Sequence, residues 1–388
     1  MRKNVLLMGL TMALSMGFAS CSDDDEVVIP EGTSEVTIDE DDTRVTSTNL
    51  TNWTQYAVQV ANLLTKDATA LRNAWRTDYN GNGPYAETFK NPGAGKTYAS
   101  YQNCLQEIIE GCADIANEVG TAKIGEPRDL WEAGQYTEAV YAVESWYSFH
   151  SIDDYANNIR SIRNAFYGSR NGVIANNSIA AYLKENNNKL FSELDANIQG
   201  AINAIESMAA PFRSHIGNNS VTAAQKACSA LEKSLSNNLK PYMINRSNEA
   251  LKNIVESYVD NVVLPTYNDL VALNTTLNTA VRTLANTPSN ANFAAAAEAW
   301  MMARAPWESS EAFLFGPVAE LGLDPNMDSW PLDVAALKNK LENGNFDDLE
   351  WEGEFDEDDE VIAAAQNVRG FHTLEFLLFK NGKPRTIE

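Results

Sequence analysis

The stretch from Gly370 to Phe379 places one of the chain's three histidines three residues before a carboxylate, inside a strongly apolar run. Residues at i and i+3 lie on one face of a helix, so a helix here would hold His372 and Glu375 side by side. Such a pair can bind a metal ion or transfer a proton, and both side chains are costly to bury without a partner. We therefore predict that His372 and Glu375 belong to a functional site.

Two other segments carry side chains suited to the same site. In the first, Ser148 is followed by Asp154 and, four residues later, by Asn158. In the second, a Pro-Trp pair follows Arg304, and Glu311 comes soon after it. Further candidate residues are therefore Arg304, Trp307, Glu311, Ser148, Asp154 and Asn158. Arg304 has two interpretations, as a buried ion-pair partner of Glu311 or as a ligand-binding residue.

Together these segments resemble the imelysin family. The resemblance rests on the GxHxxE motif at 370–375, on the Arg, Pro-aromatic, Glu and Gly-Pro pattern at 304–317, and on the Ser-Asp-Asn spacing at 148–168. It implies an all-α fold of two similar four-helix-bundle domains packed face to face, with a site between them. In the usual family order the GxHxxE half comes first, whereas here it ends the chain, so the resemblance also implies circularly permuted halves.

Composition and apolar periodicity favour helices throughout the body of the chain. The apolar residues of 194–205 recur at spacings of three and four, which is typical of one face of a helix. Helices are predicted at 50–78, 97–120, 129–160, 176–209, 220–240, 244–260, 264–286, 290–304, 332–343 and 358–380. We assign residues 49–262 to the first bundle and residues 263–388 to the second, which carries GxHxxE.

The N-terminus resembles that of a bacterial lipoprotein. Residues 1–20 combine a short basic start with an apolar run that is too short to span a membrane, which indicates a signal peptide. Small residues precede Cys21, the predicted lipidation site, and residues 21–48 are predicted to be an acidic flexible tether. An acidic cluster directly after the cysteine resembles a surface-export signal. We expect an outer-membrane lipoprotein, exposed on the cell surface or, alternatively, facing the periplasm.

The charge of the chain excludes some partners. Its formal net charge is −24, and cleavage before Cys21 would remove Arg2 and Lys3 and leave −26. Nucleic acid is disfavoured as a partner because phosphate binding needs a basic surface. Attachment to a membrane would therefore occur through the lipid on Cys21.

The remaining cysteines do not suit a disulfide framework, since Cys104, Cys112 and Cys228 are few and odd in number. On one straight helix, Cys104 and Cys112 would lie about 12 Å apart. That distance is beyond the reach of a disulfide, unless Gly111 breaks the helix.

The resemblance implies two activities, because imelysin-like proteins are classed as metallopeptidases and are associated with bacterial iron uptake. The HExxH pattern of zinc peptidases is absent, so His372 and Glu375 would need a further ligand from His150, Asp153, Asp154 or Glu311. One histidine among carboxylates suits iron or another divalent metal.

We predict a metal-binding lipoprotein of iron uptake. The alternatives are a metallopeptidase that uses His372 and Glu375, and a non-catalytic interaction module for an outer-membrane iron transporter. A purely structural pair, in which His372 bonds Glu375 and holds the two bundles in register, also stays open.

Overall fold

The computed structural model describes residues 43–351 and 353–388, which are mostly helical, as the sequence predicts. The predicted signal peptide, Cys21 and most of the predicted tether lie outside the described residues. The α-helices are α1 (Leu50–Arg76), α2 (Tyr85–Lys90), α3 (Tyr101–Glu118), α4 (Gly125–Glu132), α5 (Tyr136–Tyr141), α6 (Ser151–Tyr167), α7 (Ile179–Asn186), α8 (Asn188–Glu206), α9 (Asn219–Ser234), α10 (Lys240–Met243), α11 (Asn248–Tyr258), α12 (Leu264–Asn286), α13 (Asn290–Glu308), α14 (Pro317–Glu320), α15 (Leu323–Asp328), α16 (Val334–Asn343), α17 (Glu360–Gln366) and α18 (Gly370–Leu378).

Shorter elements connect these helices. Strands β1 (Phe379–Lys380) and β2 (Lys383–Pro384) form an antiparallel hairpin after α18. The π-helical segments are Val119–Lys123, Leu235–Leu239 and Val259–Val263, and the 3₁₀ turns are Phe212–Ser214, Glu311–Phe313 and Asp347–Leu349. The segments Leu235–Leu239 and Val259–Val263 each join two α-helices directly, so the chain from Asn248 to Asn286 is one continuous helical run, whereas the turn residue Ile124 separates Val119–Lys123 from α4.

The helices pack in two groups that share one contiguous apolar core. Helices α3, α6, α8 and α9 pack around one another, and α1, α12, α13 and α18 do the same. The groups meet where α6 packs on α13 and where α3 packs on the turn Glu311–Phe313. The predicted division at residues 262 and 263 stays a prediction. This division would fall within the continuous helical run, and it would separate α1 from α12, the helix against which α1 mainly packs.

Gly111 does not break α3, although the sequence left that alternative open. A Cβ atom at this position would lie 2.4 Å from the carbonyl oxygen of Ala312. The missing side chain therefore allows close contact between α3 and the turn after α13. Cys104, Cys112 and Cys228 are all buried and free.

Three predicted helices are wrong in extent. The helix predicted at 176–209 is divided into α7 and α8 at Asn187, whose φ of −158° and ψ of 71° are not helical and whose side chain caps α8. The helix predicted at 129–160 is divided into α4, α5 and α6, because Gly134 has φ 80° after α4 and the loop before α6 has positive φ at Ser145 (51°) and Phe149 (63°). The helix predicted at 358–380 is divided into α17 and α18 at Gly370, where φ is 88°. Positive φ values do not continue a right-handed helix.

Near the ends of the described chain, Val45 forms a parallel bridge with Ile387, and Arg44 lies 3.2 Å from the carboxylate of Glu388. Such proximity is what a circular permutation needs, while the permutation itself stays a prediction. Among the described residues, no helix combines the length and apolar character needed to cross a membrane.

Candidate metal centre

Helix α18 holds the predicted His–Glu pair because its first residue is a glycine. Gly370 has φ 88°, and a Cβ atom there would lie 2.5 Å from the carbonyl oxygen of Met327 on α15. Only glycine accepts both the left-handed backbone and this close approach. His372 and Glu375 lie on the same face of α18, and His372 Nδ1 is 3.1 Å from Glu375 Oε2.

Arg304 is the central cation of the site and is fully buried. Its Nη2 lies 2.7 Å from Glu308 Oε1, one turn further along α13, and its Nε lies 3.3 Å from Asp154 Oδ2 on α6. Its Nη1 donates to Asp328 on α15. The predicted Arg304–Glu311 ion pair is wrong: Glu308 lies within α13 and faces Arg304, whereas Glu311 follows the end of the helix.

Asp328 joins Arg304 to the His–Glu pair. Its Oδ1 lies 3.2 Å from His372 Nε2, and its Oδ2 accepts a 2.7 Å hydrogen bond from Trp307 Nε1. Burial alone would raise the pKa of Asp328, but Arg304 and the hydrogen bond from His372 hold it well below its usual range. Burial and Arg304 lower the pKa of His372, but its hydrogen bonds to Asp328 and Glu375 outweigh them and raise it to about 9. In this arrangement each ring nitrogen of His372 faces a carboxylate, Nδ1 that of Glu375 and Nε2 that of Asp328.

The other predicted residues complete this network. Ser148 donates to Glu375 Oε1 from both its backbone N and its Oγ, each at 2.8 Å. Asn158 Nδ2 donates to Glu308 Oε2 at 2.5 Å. Seven of the eight candidates therefore lie in one continuous set of contacts: His372, Glu375, Arg304, Trp307, Ser148, Asp154 and Asn158. That His372 and Glu375 bind a metal directly stays a prediction.

Lys123 supplies a second buried cation, which the sequence analysis did not identify. It ends the π-helical segment Val119–Lys123, and its Nζ lies 3.2 Å from Glu144 Oε2 and 3.6 Å from Glu118 Oε1. Burial lowers the pKa of Lys123, but Glu144, Glu311 and Glu118 outweigh that effect and raise it well above the ordinary value. π-Helical segments interrupt regular helices mostly at functional sites.

Glu308, Glu311 and Asp328 come together between the two cations. One carboxylate oxygen from each lies within 4.8 Å of the others. Oxygens bound to one Ca²⁺ or Mg²⁺ at about 2.0–2.6 Å can be no further apart than about 5 Å. The three carboxylates therefore have the spacing of a cation site.

Glu311 is the least satisfied of the three. It is 7% exposed, and within the described part of the chain its carboxylate has no hydrogen-bond or ion-pair partner. Burial raises the pKa of Glu311 well above its usual range despite Lys123, and it likewise raises the pKa of Glu308 to about 8 despite Arg304. Glu308 differs from Glu311 in having partners, since its Oε1 pairs with Arg304 and its Oε2 accepts from Asn158. A buried carboxylate without a partner is costly unless it is protonated or coordinates a cation.

We call the whole set the buried charge cluster. Its bases are Lys123, Arg304 and His372, and its acids are Glu118, Glu144, Asp154, Glu308, Glu311, Asp324, Asp328 and Glu375. The acids outnumber the bases by five, although Glu118 and Glu144 at the edge of the cluster are partly exposed. An excess of buried negative charge is costly unless protons or a cation neutralise it. Burial also raises the pKa of Asp324 to about 7, which favours the neutral form of this carboxyl group.

Of the four residues predicted as possible third ligands, two lie in this cluster and two lie at its edge. Glu311 and Asp154 belong to it. His150 is half-buried, lies 3.3 Å from Asp153 Oδ2 and is 3.9 Å from Asp154 Oδ1, so it contacts the cluster only through Asp154. Among the residues that the sequence analysis missed, Glu308 could have been found from its position four residues after Arg304. Asp328 and Lys123 lie outside every recognised motif.

Fold and site thus define a helical protein built around a buried cluster of charged side chains, three of whose carboxylates have the spacing of a cation site. The model of the Imelysin family matches residues 32–237 and 263–388. A crystal structure of an imelysin peptidase from Bacteroides ovatus is 50% identical, covers 89% of this chain and 99% of that chain, and superimposes with a TM-score of 0.87. The chain therefore belongs to the imelysin family, as the sequence motifs predict.

A curated relative, iron-regulated protein A of Synechococcus elongatus, is 36% identical over 137 residues. The match covers 34% of this chain and 32% of that relative. The chain therefore spans about a third of the length of the curated relative that it matches.

Proposed function

We propose that this protein binds iron, or another divalent metal, between Glu308, Glu311 and Asp328, and that it serves bacterial iron uptake. The observation that carries the proposal is the buried carboxylate of Glu311, which has no hydrogen-bond or ion-pair partner among residues 43–351 and 353–388 and lies within 4.8 Å of two further carboxylates. Oxygen ligands without thiolates suit hard cations. Bound iron would be cargo, and it would supply the positive charge that the cluster lacks.

The GxHxxE motif acts on this site indirectly in our proposal. Ser148 holds Glu375, Glu375 holds His372, and His372 donates to Asp328, so the motif orients one of the three metal ligands. Partners that hydrogen-bond to metal ligands fix their orientation and commonly change metal affinity 10–100-fold. The direct ligation by His372 and Glu375 that the sequence predicts is the alternative arrangement.

Anaerobic titration of the purified protein with Fe²⁺ tests the site, together with the Glu311→Gln variant. We expect stoichiometric binding by the wild type and at least about tenfold weaker binding by the variant. The metal-free variant should be as stable as the wild type or more stable, because a neutral amide avoids the cost of burying a carboxylate that must either stay charged without a partner or take up a proton. Glu357→Gln, in an exposed loop, is the matched control and should bind normally.

A folded wild-type protein that binds no iron at micromolar concentrations would contradict the proposal. So would undiminished binding by Glu311→Gln. Deletion of the gene should slow growth under iron limitation, and the wild type, but not Glu311→Gln, should restore it.

The place of action is proposed from the sequence of residues 1–26 and from the relative named iron-regulated protein A. We propose an outer-membrane lipoprotein anchored through Cys21, exposed on the surface or facing the periplasm, that passes iron to an outer-membrane transporter. A role as a non-catalytic interaction module is compatible with this proposal. Metal analysis of the purified complex with the transporter would show whether this protein carries iron when it binds the transporter.

The geometry favours cation binding over peptide-bond cleavage, although the relative from Bacteroides ovatus is named a peptidase. A peptidase must admit a polypeptide to its metal, whereas Arg304, Glu308, His372 and Glu375 are all at most 1% exposed. The alternative of a metallopeptidase that uses His372 and Glu375 requires the site to open. Chelator-sensitive cleavage of unfolded protein, lost in His372→Ala, would establish that activity.

A further inference from the structure

A second concave site lies on the opposite side of α15 from the buried charge cluster. It is a cavity of about 580 Å³, a volume typical of small-molecule sites. Leu323 and Asn326 of α15 line it, whereas Asp324 and Asp328 of the same helix belong to the buried charge cluster. The cavity is therefore distinct from the proposed metal site.

Three aromatic side chains form part of its wall: Tyr79, Trp351 and Phe355. Phe355 packs directly on Gly322, where a Cβ atom would lie 2.3 Å from the ring, so the glycine creates the place for this ring. Trp351 is held by the guanidinium of Arg369, 5.4 Å from the ring centroid. The aromatic wall is thus positioned by contacts of the protein itself before any ligand binds. We call this site the aromatic pocket.

The two bases of the aromatic pocket are already neutralised. Lys66 Nζ lies 2.5 Å from Glu350 Oε1, and Arg369 donates to Asp67 and, at 2.9 Å, to the carbonyl oxygen of Leu349. These contacts leave the positive charges of the pocket paired with acids of the pocket.

Two further acids, Glu320 and Glu354, have no basic partner within the described residues. Glu320 accepts a hydrogen bond from the hydroxyl of Tyr79, which orients its carboxylate at the aromatic wall. The pocket therefore combines aromatic faces with an excess of two negative charges. Aromatic faces attract cations through their quadrupole, and aromatic cages recognise ammonium groups in this way.

We propose that the aromatic pocket binds a small organic cation whose ammonium group lies against Tyr79, Trp351 and Phe355 and is neutralised by Glu320 and Glu354. The net charge of −24 raises the local concentration of any such cation. The aromatic wall selects an organic ammonium over a metal ion, because a metal ion gains more from oxygen ligands than from ring faces.

Three isosteres of different charge test this inference by calorimetric titration of the full protein: choline, neutral 3,3-dimethylbutan-1-ol and anionic 3,3-dimethylbutanoate. We expect choline to bind at least about tenfold more tightly than the neutral isostere, and the anion to bind least. Trp351→Ala and Glu320→Gln should each weaken choline binding by about tenfold, whereas Glu357→Gln, outside the pocket, should leave it unchanged.

Equal binding of the three isosteres would overturn the proposal, as would preference for the anion or absence of choline binding at millimolar concentration. Choline binding that persists in both pocket variants would overturn it too, because attraction to the acidic surface in general would then account for it. Circular dichroism of the variants confirms that they are folded. Iron binding by the same samples reports separately on the metal site.

Discussion

Arg304 is the residue around which the carboxylates of α6, α13 and α15 are arranged. Its guanidinium contacts Asp154, Glu308 and Asp328, and all of these groups are buried. Arg304→Met would keep much of the side-chain volume and leave three carboxylates without their common counter-ion. We expect the free energy of unfolding to fall by about 3–5 kcal/mol, the usual effect of removing one partner from a buried ion pair. Urea unfolding of the metal-free protein at neutral pH measures this loss.

Arg72→Met is the control for that measurement. Within the described part of the chain, the guanidinium of Arg72 hydrogen-bonds to its neighbour Asn73 and to no other residue. Its loss should change stability by less than about 0.5 kcal/mol. An equally small effect at position 304 would mean that the carboxylates take up protons at no cost, and that the ion pairs do not hold the cluster together.

Only part of the site could be predicted from the sequence. Arg304, His372 and Glu375 were recognised because they stand in short local motifs. Lys123 and Asp328 were not, because nothing within a few residues of them indicates that they face a cluster built from five different helices. Local spacing predicts neighbours on one helix, whereas partners across a helix interface depend on packing that only the fold defines.

At the scale of single elements, α18 depends on the conformation of its first residue. Gly370→Ala would force a Cβ atom to within 2.5 Å of the carbonyl oxygen of Met327 and would place alanine at φ 88°. We expect the free energy of unfolding to fall by about 2–4 kcal/mol, since both the backbone strain and the contact are unfavourable. Because α18 and α15 would move apart, iron binding should weaken as well. Thermal unfolding and the Fe²⁺ titration measure the two effects.

Gly200 provides a matched control on α8. A Cβ atom at this position meets nothing within 4 Å, so Gly200→Ala should raise the free energy of unfolding by about 0.5–1 kcal/mol through the helix propensity of alanine. The same gain at position 370 would contradict the proposed role of Gly370.

The error at 129–160 has a tertiary cause. The helix predicted at 129–160 is interrupted by positive φ values at Ser145 and Phe149, which are residues that rarely adopt them. This loop places Ser148 against Glu375 and Ser145 against Asp154. Tertiary contacts with the site therefore stabilise a backbone that local propensity disfavours, and such strain is concentrated at functional sites.

In the molecule as a whole, buried ion pairs as well as apolar packing hold the two groups of helices together. One contiguous apolar core runs through both groups, and the buried charge cluster draws side chains from α6 in one group and from α13 and α18 in the other. Separation of the groups would therefore expose apolar surface and unpair buried ions at the same time. Both costs oppose independent unfolding of either group.

The three buried thiols test whether the molecule unfolds as one unit. Cys104 and Cys112 lie on α3 and Cys228 lies on α9, so all three report on one helix group. Burial raises the pKa of Cys104 and of Cys228 to about 12, and thiols react as thiolates, so these residues should resist alkylation in the native protein. We expect alkylation of their peptides, followed by mass spectrometry in increasing urea, to have the same midpoint as the loss of helical circular dichroism. Alkylation at a clearly lower urea concentration would show instead that the α3, α6, α8 and α9 group opens before the group that carries α18, so that the shared core and the cluster do not couple them.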